Sequence, residues 1–133
     1  MYKKSYTGFV WWMVGFVAVL FAICFLPVQD EALLMRLIML LMAWGVASMA
    51  FIIWKTEYVY WYNGTSFEEA KAADSERRKA FAWKHLRVFG LYALGTTVIV
   101  VLMHLLGWSA WIDFTAATIG LVVAACMTVP FKL

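Results

Sequence analysis

Few residues in this chain have the chemistry of a site. Glu31, Arg36, His104 and Asp113 are the ionisable residues that fall inside, or at the edge of, otherwise apolar stretches. Arg36 and Asp113 each stand about a turn inside a stretch, and His104 is three residues before Gly107. A guanidinium can clamp an anion, and a carboxylate with an imidazole can hold a metal, so one reading is a small outward-facing pocket. The other is an ion pair from Arg36 to Asp113 (or Glu31), with His104 near lipid headgroups and the charges reaching toward water. The ion pair is preferred, because a lone charge inside a span costs a few kcal/mol at the centre and less near an end. Asp113 is the favoured partner because it lies equally deep.

Other chemistries find no spacing to support them. His85 and His104 are nineteen residues apart. On one helix that is about 28 Å, too far to ligate one ion or one haem within a chain. Cys24 and Cys126 are expected near opposite ends of their spans, beyond disulfide reach. No His-Glu-x-x-His, Cys-x-x-Cys, nucleophile elbow or phosphate-cradling glycine loop occurs. The expectation is no catalytic, metal or cofactor-binding residue. A membrane enzyme built on the Arg36, His104 and Asp113 cluster ranks last among the functions considered.

The elements that position these residues follow from composition. Hydrophobic residues make up 65% of the 133 and charged ones 14%, against roughly 45–50% and 25% in globular proteins. A ball of this size cannot hide so much apolar surface from water, so lipid is the solvent for most of it. A bilayer core of roughly 30 Å needs about 20 apolar residues per helix. Four stretches qualify, at about 7–26, 32–54, 88–106 and 110–131. The predicted fold is all-α: one integral-membrane domain over residues 1–133, a bundle of four transmembrane helices, with a long loop at 55–87.

Orientation follows from Lys and Arg near the span ends. Of the 11 basic residues, all but Arg36 fall at the N-terminus, in the 55–87 loop or at Lys132. Both termini and that loop are therefore predicted to be cytoplasmic, in a multi-pass protein of the plasma membrane. Within the loop, Ser66 and Glu69 form a capping box. A helix starting there is expected to run without interruption into the third span, with Asp74 and Arg78 as a four-residue ion pair. Arg77, Arg78, Lys79, Lys84 and Arg87 are expected to face anionic inner-leaflet headgroups, each gaining roughly 1 kcal/mol. The cluster is short and mixed with acids, so nucleic acid is not an expected partner. Asn63-Gly64-Thr65 reads as a turn.

The aromatic residues stand where an interfacial belt would place them. Tyr2, Tyr6, Phe9, Trp11 and Trp12 mark one span end, Trp54, Tyr58, Tyr60, Trp61 and Tyr62 another, and Trp108 and Trp111 the turn between spans three and four. Ala116, Gly120 and Ala124 line one face of span four, and Ala43, Ala47 and Ala50 form a weaker stripe in span two. Small residues let helices approach closely in lipid. Packing within one bundle and a homo-oligomer seam both account for them.

The loop also carries a resemblance. Tyr62-Asn63-Gly64-Thr65-Ser66, then Glu68-Glu69, Lys71, Asp74 and Lys79, and finally Arg87 with Gly90, resemble the loop of small bacterial membrane proteins related to toxin-immunity proteins. The likeness covers roughly thirty residues, and Trp61 stands where that pattern has a glycine. It implies a bacterial plasma-membrane protein with a non-enzymatic role and carries over no binding residue.

The function expected is therefore non-catalytic: an immunity or accessory subunit that binds a membrane partner or peptide, or self-associates. The alternative is a small homo-oligomeric channel or transporter. The span centres hold no ionisable residue, which argues against a proton-coupled pump, whereas a hydrophobic pore needs none. Topology is directly testable. Reporter fusions after residues 29 and 75 should read opposite sides of the membrane, with 75 cytoplasmic; activity of an external reporter at 75 would overturn the orientation.

Overall fold

The computed structural model describes residues 1–133. The chain is all-helical: α1 (Thr7–Cys24), α2 (Glu31–Thr56), a 3-10 turn (Val59–Trp61), α3 (Phe67–Ala72), α4 (Ser75–Leu105) and α5 (Ala110–Thr128). Four of the helices, α1, α2, α4 and α5, are long and apolar enough to cross a membrane. Their starts follow from local chemistry. The Asp30 side chain accepts from the Ala32 and Leu33 amides, and Ser109 accepts from Trp111, so the first-turn donors of α2 and α5 find acceptors.

The expected continuous helix from Ser66 into α4 is broken. The capping box at Ser66 and Glu69 forms, but α3 ends after a turn and a half. Ala73 is extended (ψ 146°) and Asp74 caps a new helix by accepting from the Arg77 amide. Asp74 is thus spent on the backbone, and the expected pair with Arg78 gives way to a different one. Arg78 lies across the break. It donates to the Ala70 and Ala73 carbonyls, which the end of α3 leaves unpaired, and binds Glu57 at 2.9 Å. A guanidinium that satisfies both a helix end and a carboxylate outweighs one exposed pair of charges on a helix face.

Glu57 is where this end of the molecule is tied together. It closes α2 in the left-handed region (φ 62°), the one non-glycine residue there. Such a conformation costs roughly 1–2 kcal/mol. It is held by the Tyr2 hydroxyl donating to its carbonyl (2.6 Å), by Ser75 donating to Oε1 (2.7 Å), and by Arg78, with Lys79 at 3.7 Å. Burial alone would raise the Glu57 pKa; the hydrogen bonds from Ser75 and Arg78 and the charges of Arg78 and Lys79 outweigh it and hold the carboxyl below its ordinary value.

Around this junction the aromatic residues pack on one another. Tyr60 is buried with Ile53, Val59, Ala70, Phe81 and Ala82. Its hydroxyl donates to the Ser5 carbonyl (2.8 Å) and accepts from the Ser5 amide (2.7 Å), which pins the N-terminal segment. Tyr62 stacks on His85 (centroids 4.0 Å apart), and Phe131 meets His85 edge-on. The His85 Nδ1 lies 3.0 Å from the Phe81 carbonyl. Belt-like exposure belongs instead to Trp11, Trp108 and Trp111. Rings at the basic end are close enough in the chain, and numerous enough, to bury each other.

The helices form a three-helix core of α2, α4 and α5, with α1 laid on α2. Ala43 and Ala47 of α2 meet Ala93 of α4, all buried, so the span-two stripe lets the two long helices approach closely. The α5 stripe faces α4. Ala124 is buried, and a Cβ on Gly120 would stand 3.2 Å from the Tyr92 ring, whose hydroxyl donates to the Ala117 carbonyl (2.9 Å). No residue of α1 is buried. Phe16 packs over Gly45 and the Trp12 indole donates to Ser48 Oγ (2.9 Å). Gly120→Leu should force Tyr92 aside and destabilise the protein by about 1–3 kcal/mol, measured by unfolding in detergent. Val122→Leu, at an exposed position, should be neutral. Equal stability of the two variants would place the close contact elsewhere.

Candidate functional site

The polar cluster at the end opposite Glu57 is built by three elements. Arg36 sits on the second turn of α2, His104 in the last turn of α4, and Asp113 in the first turn of α5. The connection between α4 and α5 is tight. Gly107 adopts φ +68°, a conformation glycine takes without a Cβ penalty, and the chain reverses so that α5 begins beside Arg36.

Arg36 Nε donates to Asp113 Oδ2 at 2.5 Å and Nη2 to Oδ1 at 3.4 Å, a two-pronged pairing. Nη2 also donates to the Trp108 carbonyl at 2.7 Å, and Nη1 lies 3.3 Å from His104 Nδ1. Arginine only donates, so Nδ1 is the acceptor in this contact. Arg36 is 4% exposed and Asp113 is fully buried. The first turn of α5 adds a favourable dipole for the Asp113 carboxylate. Glu31 stands apart: it is exposed in the first turn of α2 and joins no ion pair.

Chemically this cluster is spent on itself. Both carboxylate oxygens accept from one guanidinium, and three of its nitrogens are engaged. It leaves no free carboxylate oxygen and no open anion clamp, while the exposed His104 ring keeps Nε2 without a partner. His, Cys, Asp and Glu nowhere gather in a group of three that could hold a metal ion. The cluster's role is to lock α5 against α2 and the α4–α5 turn.

What it locks is a groove. Between α4 and α5 lies a hollow of about 540 Å³ that begins at Asp113 and ends by Phe131. That falls within the roughly 300–1,000 Å³ of small-molecule sites. Its walls include Thr96, Val100, Ala116, Ala117, Gly120 and Ala124, and its rims the exposed Leu91, Ile99, Val123 and Met127. Gly95 lines it too, and a Cβ there would meet nothing within 4 Å. Lys84 and Arg87 flank the end nearest Phe131.

The five basic residues expected at headgroups therefore part company. Arg78 is tied to Glu57, Lys79 approaches the same carboxylate, and Arg77 donates to the Leu133 carbonyl at 3.3 Å. Lys84 and Arg87 are exposed and enter no ion pair. Glu57, the groove and Gly95 are the parts of this arrangement not anticipated from the sequence. A signal existed for the first: Glu57 is the acid directly after an apolar helix, between basic Lys55 and a run of aromatics. For the groove there was none, since a hollow is a property of two helices together.

The Arg36–Asp113 pair can be tested by a double-mutant cycle in detergent. Arg36→Met should leave the Asp113 carboxylate buried and unpaired, costing about 3–5 kcal/mol, and Asp113→Leu should do the same to Arg36. The double variant should regain most of the loss. A coupling energy near zero would rule out the direct pair.

Compared with family models, curated proteins and solved structures, the chain matches none.

Proposed function

We propose that this chain is a non-catalytic protein of the plasma membrane, which acts by holding a membrane-embedded molecule in the groove between α4 and α5. Its four apolar helices cross the bilayer with both termini and the α3 segment on the cytoplasmic side, the basic side of the chain. Its work is that of an immunity or accessory protein, recognition rather than turnover. One observation carries the reading. The groove is lined by apolar and small residues and opens along its exposed rim at Leu91, Ile99, Val123 and Met127, so a ligand reaches it from lipid rather than from water. The polar cluster supports the same reading, because its members are engaged with each other and hold the groove's walls in place.

A photo-reactive residue at Ile99, on the rim of the groove, should give a discrete adduct in native membranes. The same probe at Val14, on the exposed face of α1, should give only diffuse labelling. Gly95→Leu, which fills the hollow without a clash at Cβ, should abolish the Ile99 adduct while the protein elutes normally. Indistinguishable labelling at the two positions would overturn the reading, as would unitary currents from the purified protein in planar bilayers.

A further inference from the structure

The groove differs at its two ends, and the difference specifies an occupant. At one end its single acid, Asp113, is neutralised by Arg36. At the other, Lys84 and Arg87 flank the opening with no carboxylate in contact. Between them the lining is apolar apart from the Thr96 and Tyr92 hydroxyls, of which the Tyr92 hydroxyl is spent on the Ala117 carbonyl. A ligand that fits this surface has an anionic head and an apolar tail.

Size separates a tail from a helix. A helix about 10 Å across, spanning a core of roughly 30 Å, is far larger than this hollow, so only the side chains of one helix face could enter it. From Arg87 to Val100 the groove follows α4 for about 20 Å, longer than the roughly 15 Å of one leaflet. A hydrocarbon chain can therefore lie along it with its head still beside Lys84 and Arg87. Gly95, with nothing opposite it, keeps the floor open where such a chain passes, while the Tyr92 ring covers Gly120.

We infer that the α4–α5 groove binds an anionic lipid, its acyl chain lying over Gly95 and its headgroup held between Lys84 and Arg87. This rests on the groove being the working surface proposed above. The two cations act as a pair of charges at the membrane surface, and the apolar walls replace neighbouring lipid tails with a fixed, pre-shaped one.

Native mass spectrometry of the detergent-purified protein, titrated with phosphatidylglycerol or phosphatidylcholine, tests it. The parent should retain one phosphatidylglycerol with roughly thirty-fold preference, about 1 kcal/mol from each of the two cations. Lys84→Gln with Arg87→Gln should reduce the preference to near parity. Lys3→Gln with Lys71→Gln, which removes equal charge away from the groove, should leave it intact, and Gly95→Leu should eliminate retention of either lipid. Equal retention of both lipids by the parent, lost in Gly95→Leu, would overturn the anionic headgroup while leaving the groove as a binding surface. A preference that survives Gly95→Leu would place the lipid on the basic surface instead and overturn the inference. An Ile99 adduct that proves to be polypeptide would overturn the lipid but uphold the groove, whereas no lipid retention together with no adduct would remove both.

Discussion

A guanidinium among apolar helices has to find its counter-charge inside the protein, and the geometry at this end of the bundle follows from that requirement. Arg36 is too deep on α2 to be left alone. Asp113 meets it because the α4–α5 turn is short and because Gly107 takes a left-handed conformation there. The same guanidinium draws in the Trp108 carbonyl, a group the turn would otherwise leave without a partner. One side chain thus sets the height of α5 against α2 and the shape of the turn. A buried pair of this kind is weak as a source of net stability, since both ions lose water, but strong as a register device, because any slip leaves a charge unpaired.

The opposite end is organised by different physics. There, aromatic rings shed water against each other, and polar edges fasten the chain segments that cross them. Tyr60 holds Ser5 by both of its backbone groups, and Tyr2 holds the Glu57 carbonyl. Arg78 links the end of α3, the side chain of Glu57 and the face of the Tyr2 ring. The left-handed backbone at Glu57 persists because its carbonyl and its carboxylate are both claimed. The N-terminal segment, α2, α3 and α4 meet in one place, while α1 itself contributes no buried residue and is held by Phe16, Trp12 and the segment before it.

Locking both ends of a bundle while using small residues between them leaves space in the middle. Ala43, Ala47 and Ala93 close the gap between α2 and α4. On the other side of α4 the gap closes only in part, because the Tyr92 ring covers Gly120 but nothing opposes Gly95. The result is a groove whose walls cannot collapse without breaking the ion pair at one end or the aromatic packing at the other. Pre-shaped concavity of this kind is what a binding surface requires, since ordering costs are met in folding rather than in binding.

The sequence alone was enough to place four long apolar helices, their approximate limits and the asymmetry of basic charge, because each is a property of a run of residues read in order. Capping at Ser66 was likewise local. The partner of Arg36 was legible as a preference, from matched depth, and Glu31 competed for it until the fold put Glu31 at the surface. What the chain order did not reveal is where separate elements meet. The break between α3 and α4 arises because Arg78 turns to Glu57 and frees Asp74 to cap a new helix, a choice made across 21 residues. The aromatic residues looked alike in a row, yet Tyr60 became core and Trp11 stayed exposed according to which face the bundle covered. The α5 stripe packed against α4 within this chain. The hollow beside it exists only between two surfaces, and a volume between surfaces has no sequence position at which it can be read.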